Sequence, residues 1–161
     1  MTFDLQAVPD TLTYRKLPVL WLLITLTETI PVKGEMHLMS NPGQNDIFSR
    51  FGDMPVTVAL PAAFPGHCTL RCDDASGLPP LSLVAAQAHL FANPAVKELV
   101  ISPKGLRLVI MAEEAARGLY LLFRDAELGR NPYPAARLTP HLDTLVALRH
   151  SLIVIAEDRH G

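Results

Sequence analysis

Residues Glu98 to Met111 read ELVISPKGLRLVIM, and this stretch decides how the rest of the chain can be organised. Glu98 to Ile101 and Leu106 to Met111 are strand-like apolar runs on either side of Ser102-Pro103-Lys104-Gly105, a turn sequence, so together they predict a β-hairpin. A hairpin implies antiparallel pairing. The flanking segments then have to supply further strands, or the helices that cover them.

Upstream, the composition is that of consecutive strands joined by short turns, in a meander or a pair of hairpins. Thr11 to Arg15 alternates, Val19 to Thr29 is rich in Leu, Ile and Thr, and Glu35 to Met39 alternates again after Lys33-Gly34. A helix from Leu12 to Thr27 is the competing reading. Pro18 would sit inside it, and Thr25, Thr27, Thr29 and Ile30 favour the extended state. Ser40 to Asp53 (SNPGQNDIFSRFGD) reads as a loop, with room for a short helix over Asn45 to Phe51 capped by Asn45. Pro55 to Leu60 and Thr69 to Cys72 give two more strands, separated by the turn-forming Pro61 to Gly66.

Downstream, Leu81 to Ala92 places Leu83, Ala86, Leu90 and Phe91 at helical spacing, with Ser82 as a cap and Asn93-Pro94 as the stop. Ala112 to Arg117 predicts a short helix closed by Gly118, and Leu119 to Phe123 a buried strand or a continuation of that helix. Pro132 and Pro134 break the chain before its last element. From Thr139 and Pro140 onward, Leu142, Leu145, Val146, Leu148, Leu152, Ile153 and Ile155 keep helical register, although Ser151 to Ile155 is β-branched enough to form a strand. The expected fold is therefore a single α+β domain over residues 1–161: an antiparallel or mixed sheet of about five to seven strands with two or three packed helices.

The chain has 161 residues, 49% of them hydrophobic and 19% charged, which suits one core and is far from the composition of disordered chains. A net charge of -2 from 14 basic and 16 acidic residues leaves no footprint for a phosphate backbone and argues against nucleic acid as a partner. The longest apolar run, Leu17 to Ile24, is less than half the roughly 20 residues of a membrane helix, which argues against a membrane partner. The N-terminus carries acids where a secretory signal carries bases, and Cys68 and Cys72 lie too close in sequence to staple a domain of this size. A cytoplasmic location with free thiols is the expectation.

One dense group of chemically capable side chains stands out in HCTLRCDD: His67, Cys68, Cys72, Asp73 and Asp74. A thiolate beside an imidazole is both a metal-ligand pair and an activated nucleophile. The spacing does not match the paired ligands of structural zinc, however. If the segment is a strand, Cys68, Leu70 and Cys72 share one face as small core residues, with Thr69 and Arg71 on the other. Asp74-Ala75-Ser76 can be compared with the D-x-S-x-x-G element of cyclic-dinucleotide-binding barrels, but Pro79 stands where that element needs glycine, and an Asp/Ser/Gly turn explains the same residues. Asp46, Arg50 and Asp53 could present a polar recognition face from the long loop. Glu113 and Glu114 sit in the first turn of an expected helix, and Arg124, Asp125, Glu127 and Arg130 read as mixed surface charge. No glycine-rich phosphate loop and no G-x-S-x-G elbow occurs, and no cofactor or metal is expected.

The run Leu99 to Leu106, followed by Glu113-Glu114 and Gly118-Leu119, resembles the end of the SseB N-terminal domain, where a strand meets an Asn-Pro-Gly-like turn ahead of a short acidic helix. The likeness covers residues 99–119, and Ser102 replaces the usual Asn. It implies a small α/β module with no catalytic residues to carry over.

A high apolar content that includes Trp21, without a convergent polar site, points to a non-catalytic accessory protein that docks onto another protein or onto itself as a homo-oligomer. The alternative is a small-ligand binder or enzyme built on His67, Cys68 and Asp73 or Asp74.

Overall fold

The computed structural model describes residues 1–11, 17–43, 46–123 and 127–159. Seven strands form one sheet: β1 (Thr2–Asp10), β2 (Val19–Thr27), β3 (Met36–Ser40), β4 (Val56–Val58), β5 (Cys68–Cys72), β6 (Val96–Ser102) and β7 (Gly105–Glu114). Their order is β1-β2-β7-β6-β3-β5-β4, and every neighbouring pair is antiparallel. Among the described residues three helices accompany the sheet: α1 (Leu81–Ala86), α2 (Arg117–Phe123) and α3 (Ala135–Asp158). The α+β class and the antiparallel sheet expected from the sequence are thus observed.

The β6–β7 hairpin lies in the middle of the sheet because both of its strands are apolar on the face that carries the core. Leu99, Ile101, Leu106, Leu108 and Ile110 are all essentially inaccessible to solvent. At about 1.5–3 kcal/mol for each fully buried Leu or Ile, a central place is favourable for this pair, as it is for β2 with Leu22, Ile24 and Leu26. This placement corrects the expected meander. β2 pairs with β1 and β7, and β3 pairs with β5 and β6, so the successive strands β2 and β3 are separated by the hairpin.

Val96 and Leu99 both face the core although they are three residues apart, which a regular strand of period two forbids. The register shift between Val96 and Glu98 resolves this: Lys97 is the extra residue of a β-bulge. The bulge leaves Glu98 on the face opposite the core.

The core face is covered by α3 and by α1 with the 3-10 turn Ala88–Ala92 that follows it. Leu145, Leu148 and Leu152 of α3 are buried at helical spacing, so Ser151 to Ile155 is helix and not a last strand. The helix also begins earlier than Thr139. Pro134 is extended, Ala135-Ala136-Arg137 are strong helix formers, and Pro140 is accommodated inside. The helix expected over Leu81 to Ala92 tightens to 3-10 geometry at Gln87, a common ending for an α-helix. Pro80, not Ser82, occupies its cap position.

Ala112 to Arg117 is not a helix, because β2 is long enough to hold Glu113 and Glu114 in the sheet opposite Leu20 and Val19. The helix instead runs through Gly118 as α2. The strand Thr2–Asp10 was not expected, since Pro9 and two acids disguise it; as an edge strand it can carry all three. Most of the strand expected over Thr11 to Arg15, and the proposed cap Asn45, lie outside the described residues. Residues 46–50 form a turn, with a 3-10 turn at Phe51–Asp53. Among the described residues, no helix is long and apolar enough to cross a membrane.

Candidate functional site

On the face away from α3, the strand registers align one row of partners across the sheet: Asp4, Thr25, Arg107, Val100, His37, Arg71 and Thr57. Six of these seven are polar, so this face differs from the apolar one behind it. Residues 46–54 lie over part of the row and bring apolar cover. Phe51 and Met54 are buried, Phe48 packs against Trp21 at 5.1 Å between ring centroids, and the Arg71 guanidinium lies 5.5 Å from the Phe51 ring.

The centre of this face is a chain of hydrogen bonds around His37. Its Nδ1 lies 2.7 Å from Glu98 Oε1 and its Nε2 lies 2.7 Å from Glu35 Oε1. Ser49 Oγ donates to the same Glu98 oxygen at 2.5 Å and also accepts from the Phe51 N–H, which ties the covering segment to the sheet. His37 and Glu98 are almost fully buried, whereas Glu35 is partly open. Burial pulls the His37 imidazolium down, but the hydrogen bonds and charges of Glu98 and then Glu35 outweigh it and hold the ring above its ordinary 6.5. Beside this chain, the bulged Lys97 donates to the carbonyls of Ser40 and Asn41 and lies 3.5 Å from Asp46.

A cleft of about 320 Å³ opens next to His37, between Phe48, Ser49 and Arg50 of the covering segment and the Ser102–Gly105 end of the hairpin. Its walls carry Thr25, Thr27, Glu35, Glu98, Val100, Lys104 and Arg107. Arg107 Nε donates to Thr25 Oγ1 at 3.1 Å. Both ring nitrogens of His37 are occupied by carboxylates, and the Ser49 hydroxyl is aimed at Glu98 and not at the imidazole. This is a clamp; a serine-base pair would need that contact.

The five candidates in HCTLRCDD do not converge. Cys72 and Leu70 point into the core, Cys68 packs against it, and His67 is exposed at the start of β5. Burial pushes both thiols up, Cys72 with help from the charges of Asp73 and Asp74, so both favour the unreactive protonated form. Asp73 Oδ1 accepts from the backbone N–H groups of Glu35 and Asp74. Asp74 caps the Ala75–Gly77 turn through Ser76, which holds its carboxyl below the usual range. Asp46 accepts from the Gly43 N–H and approaches Lys97. Arg50 and Asp53 are exposed, 3.8 Å apart, with Arg50 also 3.9 Å from Glu35. Glu113 accepts from the Gly129 N–H, Glu127 pairs with Arg130, and Arg124 and Asp125 lie outside the described residues. Among the described residues, no three His, Cys, Asp or Glu side chains gather to hold a metal ion.

A second, apolar surface is present. α2 reads RGLYLLF, and Leu119, Leu121 and Leu122 are 60%, 56% and 76% exposed. Leu119 and Leu122 share one side of the helix and Leu121 takes the other. The edge strand β1 adds Leu5 at 48%. Sequence patterning alone reads α2 as a buried element, because a segment apolar on every side is ordinarily inside.

Comparison with protein-family models, with curated proteins and with solved structures gives no match for this chain.

Proposed function

We propose that this is a non-catalytic accessory protein that acts by docking onto another protein chain, with α2 as its contact element. One observation carries the reading: α2 holds leucines on opposite sides, Leu119 and Leu122 on one and Leu121 on the other, and all three are more than half exposed. Burying each of them is worth about 1.5–3 kcal/mol, so a partner that covers α2 gains several kcal/mol from leucines alone. The open edge of β1 is a second place where a neighbouring chain can add, since an edge strand presents unpaired backbone groups.

Size exclusion with light scattering, on native extract and on purified protein, tests this. The full chain should elute in an assembly larger than its 17.6 kDa. A double variant, Leu119→Asp with Leu122→Asp, should elute as a monomer with an unchanged Tm. A strict monomer in extract, or a double variant that keeps the assembly, contradicts the proposal.

A further inference from the structure

The cleft beside His37 is separate from α2, and its charge pattern is specific. Three permanent cations line it, Arg50, Lys104 and Arg107, against two carboxylates, Glu35 and Glu98. Both carboxylates are already turned onto His37, at 2.7 Å each. Arg50 is shared with Glu35 and Asp53 at long range, but Arg107 has only the Thr25 hydroxyl, and neither Arg107 nor Lys104 has a carboxylate partner among the described residues. A half-buried guanidinium with donors to spare, beside an ammonium and the hydroxyls of Thr25, Thr27 and Ser102, is an arrangement for a carboxylate or phosphate group. The remaining lining is apolar: Phe48 on the covering segment and Val100 on the floor between Arg107 and His37. A volume of about 320 Å³ lies at the lower end of small-molecule sites.

We infer that this cleft binds a small amphipathic organic acid, its carboxylate held by Arg107 and Lys104 and its apolar part lying between Phe48 and Val100. A carboxylate is favoured over a phosphate because a dianion gains more repulsion from Glu35 and Glu98 than a monoanion does, while Phe48 and Val100 give a bare inorganic ion nothing to bury. An amine would find both carboxylates already engaged.

The test is a two-dimensional NMR titration of the full chain with phenylacetate, inorganic phosphate and benzylamine as probes. Phenylacetate should shift the Arg107 side-chain N–H and the Val100 and Ser102 amides saturably, with a Kd in the millimolar range or tighter. Arg107→Gln should weaken it about tenfold to a hundredfold, the loss of one charge-assisted pair. Lys104→Ala, on an exposed turn where folding is not at stake, should weaken it severalfold, while Arg137→Gln, outside the cleft, should not. Saturable phenylacetate binding that both cleft variants weaken by these factors supports the assignment. Three results overturn it: no saturable shift with phenylacetate, tighter binding of inorganic phosphate, or benzylamine binding at the same amides.

Discussion

Glu98→Gln changes one atom type at the most buried carboxylate among the described residues and should destabilise the protein in a pH-dependent way. Glu98 accepts from His37 at 2.7 Å and from Ser49 at 2.5 Å, and the amide keeps the shape and an acceptor oxygen while losing the charge. A hydrogen bond to a charged group is worth about 1.5–3 kcal/mol and a neutral one about 0.5–1.5, so two bonds together lose about 2 kcal/mol. In a chain of this length that is about 4–8 °C in Tm. The pH dependence decides the matter. His37 titrates near 6.5 in the unfolded chain and higher in the folded one, so stabilisation by its protonated ring is complete below 6.5 and lost as pH rises through the folded value. Wild type and variant should therefore differ most below pH 6.5, and the gap should narrow as pH rises above it, in the direction set by the raised His37 value. Urea denaturation across that range measures the gap directly. A gap that is constant, or that widens as pH rises, refutes the view of His37 as a protonated clamp between two carboxylates.

Gly105 has φ +149, and a Cβ there would stand 2.1 Å from the Leu26 carbonyl oxygen, so Gly105→Ala should cost at least about 2–4 kcal/mol by chemical denaturation. Pro140 deprives the Ala136 carbonyl of its helical donor, and Pro140→Ala should raise stability by about 1–3 kcal/mol, read as a higher Tm. Cys68 and Cys72 should label slowly with a thiol reagent at neutral pH, Cys72 the slower because it is fully buried, and both should label quickly in urea. Fast labelling of the folded protein would return the His67 and Cys68 cluster to consideration.

The hairpin, the strand faces of β5 and the C-terminal helix were legible because each is decided locally: a turn sequence between apolar runs, a period of two, a period of 3.6. Alternation in Cys68-Thr69-Leu70-Arg71-Cys72 was enough to turn both cysteines inward. Strand order was not legible, since nothing in β2 or β3 states that a hairpin far downstream in sequence will lie between them. The cleft was hidden for the same reason. His37, Glu98, Ser49 and Arg107 are far apart in sequence and meet only through pairing between β3, β6 and β7, assisted by a bulge at Lys97. A local signal did exist: a His in Met36-His37-Leu38 and a Glu just before Leu99-Val100-Ile101 are polar residues in strands that are otherwise apolar, and such residues demand a partner. The exposure of α2 could not have been read at all, because its composition is that of a buried segment.

Docking through α2 is the central claim, and site-specific photocross-linking in the native cell tests it most directly. A photoreactive residue at Leu122 should give one discrete cross-linked product, whereas the same residue at Ala147, an exposed site on α3, should give none. Equal background at both positions, with no discrete product from Leu122, would contradict the account.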